Sequence, residues 1–406
     1  MFNDIKTRLQ NILPVFLCLF IMLYPNILIF NKRYIDFTTP KSMLLNLMGI
    51  FLIPFIFLTY KKISDKKFLM LLIFNIINIF IVSLFTYNKD SLFGTPFPQL
   101  SEGIFAWFGY LFLLVLGIVY LNTEKEQKMF IRFSFYGMLF NSFYGLYNLY
   151  HNITVFGFFE TISENRIYGT AINAVAYSNV LLIFLIIGLW GYLKFKNDSR
   201  TNIIARILIV LSTLFIFLTF SRNTLLSMAI LYIVFFIYLK KDSFKIQLDK
   251  KNILILFGVI FLLGLLFILR LNPEILKESI SERLILWNNG MELIQERPFG
   301  YGTGLNQDLF GLSDSMSTER LQNKDMTSIG YSFFKAHNVF IDYIMIFGFQ
   351  GFLLLFLLFY KLFKNKHDIF LKISGIIYLL ALLTYYTDIY STPLIFLLMG
   401  IAIIKE

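Results

Sequence analysis

The chain contains one cysteine, Cys18, which falls inside the first apolar run, so neither a disulfide framework nor a cysteine metal site can form within one chain. Charge is scarce too. Asp, Glu, Lys and Arg make up only 15% of the 406 residues, which lies outside the usual range for a soluble globular protein. Familiar catalytic signatures are also missing: there is no P-loop, HExxH, GxSxG or paired His and carboxylate spacing. We therefore expect no metal and no cofactor. Gly300, Gly302 and Gly304 are evenly spaced, but they follow a helix and Pro298 and lack a βαβ context, which argues against a dinucleotide fold. The matching broken helices that mark many secondary transporters are absent.

What the chain does have is apolar length. Hydrophobic residues make up 57% and aromatics 18%. Runs long enough to cross a hydrocarbon core, roughly 17 to 25 residues each, fall near 11–30, 42–60, 68–87, 104–121, 129–150, 171–193, 203–219, 223–239, 252–270, 338–360, 370–385 and 391–404. The expectation is an all-α, polytopic integral membrane protein of about twelve transmembrane helices. It divides into N-terminal transmembrane helices (1–200), core transmembrane helices (201–270), one large extracytoplasmic loop between spans nine and ten (271–336) and C-terminal transmembrane helices (337–406). The first run is followed by Asn31-Lys32-Arg33 without a small-residue cleavage site, so it reads as a retained first span.

The net charge is +11. Most Lys and Arg fall in short connections such as Lys61-Lys62 and Lys240-Lys241 that lie on one side when connections alternate. The positive-inside rule then places both termini in the cytoplasm and 271–336 outside. Topology and anionic lipid account for the basic balance, so no nucleic acid partner is expected.

Function is sought in the polar block. Leu284, Trp287, Met291 and Ile294 recur at spacings of three and four, predicting a surface helix over Ser281–Glu296 with these residues as its apolar stripe. Pro298 stops it, and the glycines that follow make a turn. Residues 311–330, rich in Ser, Asp, Asn and Gly, read as a loop. Three arginines, Arg166, Arg222 and Arg283, fall on the outer side. Arg222 stands between two spans joined by almost nothing, at the membrane boundary, where an ionisable group either faces a cavity or ligand or snorkels to the headgroups. Guanidinium forks suit phosphate oxygens, and a polyprenyl-linked sugar is a membrane ligand with a diphosphate. His337, where the block re-enters the membrane, is a candidate general base for a sugar hydroxyl; an interfacial histidine bonded to headgroups is the plainer alternative. His151 and His367 read as structural or solvated.

Arg283-Leu-Ile-Leu-Trp287, Ile294, Pro298-Phe-Gly-Tyr-Gly302 and Ala336-His337-Asn338, followed by Gly348 and Gly351, together resemble the O-antigen ligase and polymerase superfamily. The Phe220-Ser221-Arg222 turn resembles the arginine at the start of that family's core region. Phe93 to Gly103 and Arg166 to Asn173 look like its earlier outer loops. Two positions depart from the pattern: Ile346 stands where an acidic residue is common, while Asp342 lies elsewhere on the helix, and Asn223 stands where a small residue follows the arginine.

The resemblance implies a metal-independent glycosyltransferase of the cell membrane that uses a polyprenyl-diphosphate-linked oligosaccharide donor and an acceptor glycan. By the same resemblance His337 activates the acceptor hydroxyl, Arg222 and Arg283 hold the leaving diphosphate with help from Arg166, and Asn338 and Trp287 support them. Two readings share this chemistry: a polymerase of repeat units for capsule, exopolysaccharide or O-antigen, with a possible chain-length regulator as partner, and a ligase that moves a finished glycan to a terminal acceptor. Abundant Phe, Ile, Lys and Asn hint at an AT-rich genome, common among bacteria without lipid A, and lean towards the polymerase. A flippase for the lipid-linked unit is the alternative of another class.

Overall fold

In hydrocarbon every backbone N–H and C=O must be satisfied within the protein, and an apolar run does this by becoming a helix. A computed structural model describes residues 2–27, 29–30, 35–36, 39–63, 65–86, 103–156, 167–171, 173–241, 273–303, 336–364, 368–383, 388 and 390–402. The helices are α1 (Phe2–Leu23), α2 (Thr39–Ile50), α3 (Leu52–Thr59), α4 (Lys66–Leu84), α5 (Ile104–Tyr120), α6 (Glu124–Phe156), α7 (Ala174–Lys194), α8 (Ser199–Thr219), α9 (Arg222–Lys241), α10 (Pro273–Glu296), α11 (Val339–Lys364), α12 (Ile369–Leu382) and α13 (Thr392–Ile401). One short antiparallel pair, Ile29–Phe30 with Ile35–Asp36, is the strand content of the described residues.

Among the described residues, five helices are long and apolar enough to cross a membrane, or six if the pair formed by α2 and α3 is one span bent by 45°. Pro54 explains the bend, because its ring removes an N–H and crowds the carbonyl one turn back. The architecture is that of a helical membrane protein. The run 252–270 lies outside the described residues, as does 304–335, most of the expected outer loop. The part of that loop that is described begins as α10, which starts at Pro273, earlier than the periodicity predicted; proline suits a first helical position, where no N–H is needed.

The chain divides into two units. The first comprises Met1–Asn26, Thr123–Ser281 and Asp368–Ala381; the second comprises Ile27–Asn122, Glu282–His367 and Leu382–Glu406. In the first unit α7 is the axis. Its apolar window is 94% buried against 39% for α8, so α7 is surrounded by protein while α8 shows an outer face. Gly188 and Gly191 bring it close to Ala205 of α8, the small-residue packing by which membrane helices gain dispersion contacts. In the second unit α5 is buried along nearly its whole length. Gly117 of α5 and Gly400 of α13 touch backbone to backbone, with Cα atoms that leave no room for a side chain. Trp107 packs edge-on against Phe347 (4.9 Å) and Tyr343 (5.5 Å) of α11.

Large apolar side chains on the rims are bare: Phe57 is 74% exposed, Phe143 70% and Val210 64%. Lipid is the natural cover for such a surface. Charge sits at helix ends. Asp198 caps α8 through the Thr201 N–H (3.0 Å) and pairs with Lys128 (3.1 Å); those two contacts hold its carboxyl down to about 2. Asp65 does the same for α4, accepting from Lys67 and Phe68 and pairing with Lys361 at 2.9 Å.

Candidate active site

In the second unit α10 from Glu282 onward, the segment after it and the start of α11 form one framework. The buried face of α10 is Leu286, Asn289, Gly290, Leu293 and Ile294, while Leu284 and Met291 are 50% and 45% exposed. The apolar stripe expected from spacing is thus rotated. The reason is Gly290: a Cβ there would lie 2.6 Å from Ile341, 3.3 Å from Ala336 and 3.4 Å from the Met345 sulfur, so the helix turns its smallest residue to α11. Arg283 is seven positions before Gly290, about two helical turns, and so projects from nearly the same face. It is half-buried, as is Trp287. The Trp287 indole N–H is buried with no hydrogen-bond acceptor among the described residues.

Beyond Glu296 the chain enters a gap in another helix. Gly348 interrupts α11 with φ 72° and ψ 175°, which orphans backbone groups on either side of it. The segment 298–302 satisfies them: Tyr301 N–H donates to the Met345 carbonyl (2.8 Å), Gly302 N–H to Ile346 (2.9 Å), and Phe349 N–H to Pro298 (3.0 Å). Gly300 (φ 94°) makes the fit possible, since a Cβ there would lie 2.6 Å from the Gly348 nitrogen. Gln350 adds a bond to the Phe299 carbonyl, and buried Thr303 is held by the hydroxyls of Ser83 and Thr86. The second half of the segment, Gly300 to Thr303, is buried, whereas Phe299 is 75% exposed.

His337 precedes α11 in a left-handed conformation, φ 55°. Asn338 caps α11, its Oδ1 accepting from Phe340 (3.0 Å) and Ile341 (3.3 Å). Asp342, 1% exposed, accepts the Ala336 N–H at 2.6 Å. His337 is half-buried.

The first unit contains a second turn of this kind. Phe220 ends α8 with φ 50°, and Arg222 begins α9 two residues later. Beneath it lies a neutral network: the Thr224 hydroxyl meets those of Ser178 (2.6 Å) and Ser221 (3.2 Å) and donates to Asn179 Oδ1 (3.2 Å). Ser178, Asn179 and Thr224 are fully buried. The Asn179 amide nitrogen has no acceptor among the described residues. Arg222 is half-buried and takes part in no ion pair among them.

Of the residues named from sequence, Arg283, Trp287, His337 and Asn338 belong to the second unit, where Gly290 brings their two elements into contact. Arg222 belongs to the first. Arg166 lies outside the described residues, as does His367. Sequence reasoning noted Asp342 only as an acid elsewhere on the helix and missed Asn179, Ser178 and Thr224; each is a polar residue within an apolar run, which is the signal that could have found them. No group of three or more His, Cys, Asp or Glu that could hold a metal occurs among the described residues.

Residues 207–356 match the model of the O-antigen ligase family. The match supports the O-antigen ligase and polymerase superfamily, whose members are glycosyltransferase-like enzymes. It spans Arg222, Arg283, Trp287, His337 and the Gly348 break. A comparison with curated proteins gave no match.

Proposed function

We propose that the protein is a multi-pass glycosyltransferase of the cell membrane that polymerises polyprenyl-diphosphate-linked oligosaccharide repeat units on the extracytoplasmic face. One observation carries the reading most directly. Among the described residues the non-glycine residues with positive φ are Phe220 and His337, and both sit in the turns that the sequence singled out. Left-handed backbone at such residues costs on the order of 1–3 kcal/mol and gathers at functional sites.

The chemistry is a single displacement. The acceptor hydroxyl oxygen attacks the anomeric carbon, its proton passes to the His337 imidazole, and the bond from that carbon to the diphosphate oxygen breaks. Arg222 and Arg283 neutralise the charge that gathers on the departing polyprenyl diphosphate, and Arg166 assists. Asn338 fixes the turn that carries the base. Trp287 offers a donor or an aromatic face to the sugar. About twelve spans with both termini in the cytoplasm complete the picture, supported by run length and by the placement of Lys and Arg.

The second reading, transfer of a finished glycan to a terminal acceptor, is favoured by the description of the matching family as O-antigen ligase. Purified protein supplied with a synthetic polyprenyl-diphosphate repeat unit separates the two: a ladder of products means polymerase, and product only after a distinct acceptor is added means ligase. An unchanged donor in both arms would sink both.

A further inference from the structure

We propose that Asp342 is the positioning residue for His337; the inference rests on the reading of His337 as the base. The turn is held on both sides, on one of them by the Asp342 side chain. Its carboxylate accepts the N–H of Ala336, the residue before the histidine, at 2.6 Å. The backbone N–H at 342 makes the ordinary one-turn helix bond to the carbonyl of Asn338, the residue after the histidine, at 2.9 Å, whatever side chain it carries. His337 is therefore clamped between two fixed neighbours while its own φ is 55°, a conformation that an unclamped histidine would leave at a gain of about 1–2 kcal/mol.

The chemistry of the residue suits the task. A carboxylate bonds an N–H more strongly than a neutral oxygen does, and in the first turn of α11 it lies at the positive end of the helix dipole. At 1% exposure Asp342 is itself out of reach of an acceptor sugar, so it acts through the backbone of the turn. Ile346, standing where the resemblance leads one to expect an acid, leaves this role to a residue one helical turn nearer the histidine.

The test uses the full-length protein in lipid nanodiscs with the synthetic lipid-linked repeat unit. Asp342→Ala should lower kcat about tenfold to a hundredfold, the worth of one charge-assisted buried bond, with the KM for donor changed less than about twofold. Asp342→Asn keeps a neutral acceptor oxygen and should recover part of that loss. Asp342→Glu keeps the charge but pushes the turn away, and should lose kcat with an unaltered thermal transition. Full kcat in Asp342→Ala or in Asp342→Glu would overturn the proposal, as would an Asp342→Asn protein no better than the alanine variant. His337→Ala, measured alongside, separates the two failures: if it stays active the base assignment falls, and if it is dead while Asp342→Ala is active only the present inference falls.

Discussion

Under Arg222 the turn is held by hydroxyls and an amide; under His337 it is held by a carboxylate. The two turns share a left-handed non-glycine residue and a helix that starts just beyond it, so the difference lies in the support. A carboxylate beside a guanidinium would pair with it and take the fork that a phosphate needs. Ser178, Asn179, Ser221 and Thr224 fix the Arg222 turn without spending its charge. On the proposed reading the imidazole gains a proton, no such restriction applies to it, and a buried acid can serve as the anchor.

Removing the functional groups themselves should have the largest effect. His337→Ala and Arg222→Ala are each expected to cut turnover by about a hundredfold to a thousandfold, seen as collapse of the polymer to single units. Breaking the framework comes next: Gly348→Ala forces a side chain into φ 72° with its Cβ 2.4 Å from the Phe299 carbonyl carbon, and should lower stability by roughly 2–4 kcal/mol, read as a drop in Tm of the purified protein.

The contrast between the supports is sharpened by putting an acid where none stands. Asn223→Asp should raise the donor KM about tenfold and leave the Tm near the parent value, because a neighbouring carboxylate competes for the Arg222 fork; an unchanged KM would show that neutrality around Arg222 does not matter. Thr224→Val strips the Ser178, Ser221 and Asn179 groups of a shared partner and should cost about 1–3 kcal/mol of stability. Smallest is an acid effect remote from both turns. The Asp198 carboxyl is lowered from 3.8 to about 2, so its contribution is complete above pH 3.8 and disappears as pH falls through about 2. Asp198→Asn should flatten the fall in Tm over that window.

Much of the helical framework was legible because hydrocarbon leaves a chain few choices. The run 104–121 is α5, 203–219 lies within α8, and Pro298 follows the end of α10. What was illegible depends on partners distant in sequence. The run 338–360 reads as one unbroken span, and nothing local shows that Gly348 opens it; the groups that fill the gap stand some fifty positions earlier. The stripe on α10 was misplaced because Leu284 and Met291 fit the helical period, while the contact that sets the rotation comes from a glycine, which carries no hydrophobic signal. Of the candidate site, His337, Arg222 and Arg283 were named by type, position and resemblance. The groups holding them were not, since Asp342 and Asn179 act through backbone and hydroxyl contacts that residue spacing does not encode.

The anchoring of Thr303 and Ala336 has a corollary. Thr303 is tied to Ser83 and Thr86, and Ala336 to Asp342, all within the second unit. Each mooring is closed by a partner outside the interval between them, so a change of sequence within that interval leaves these bonds their donors and acceptors.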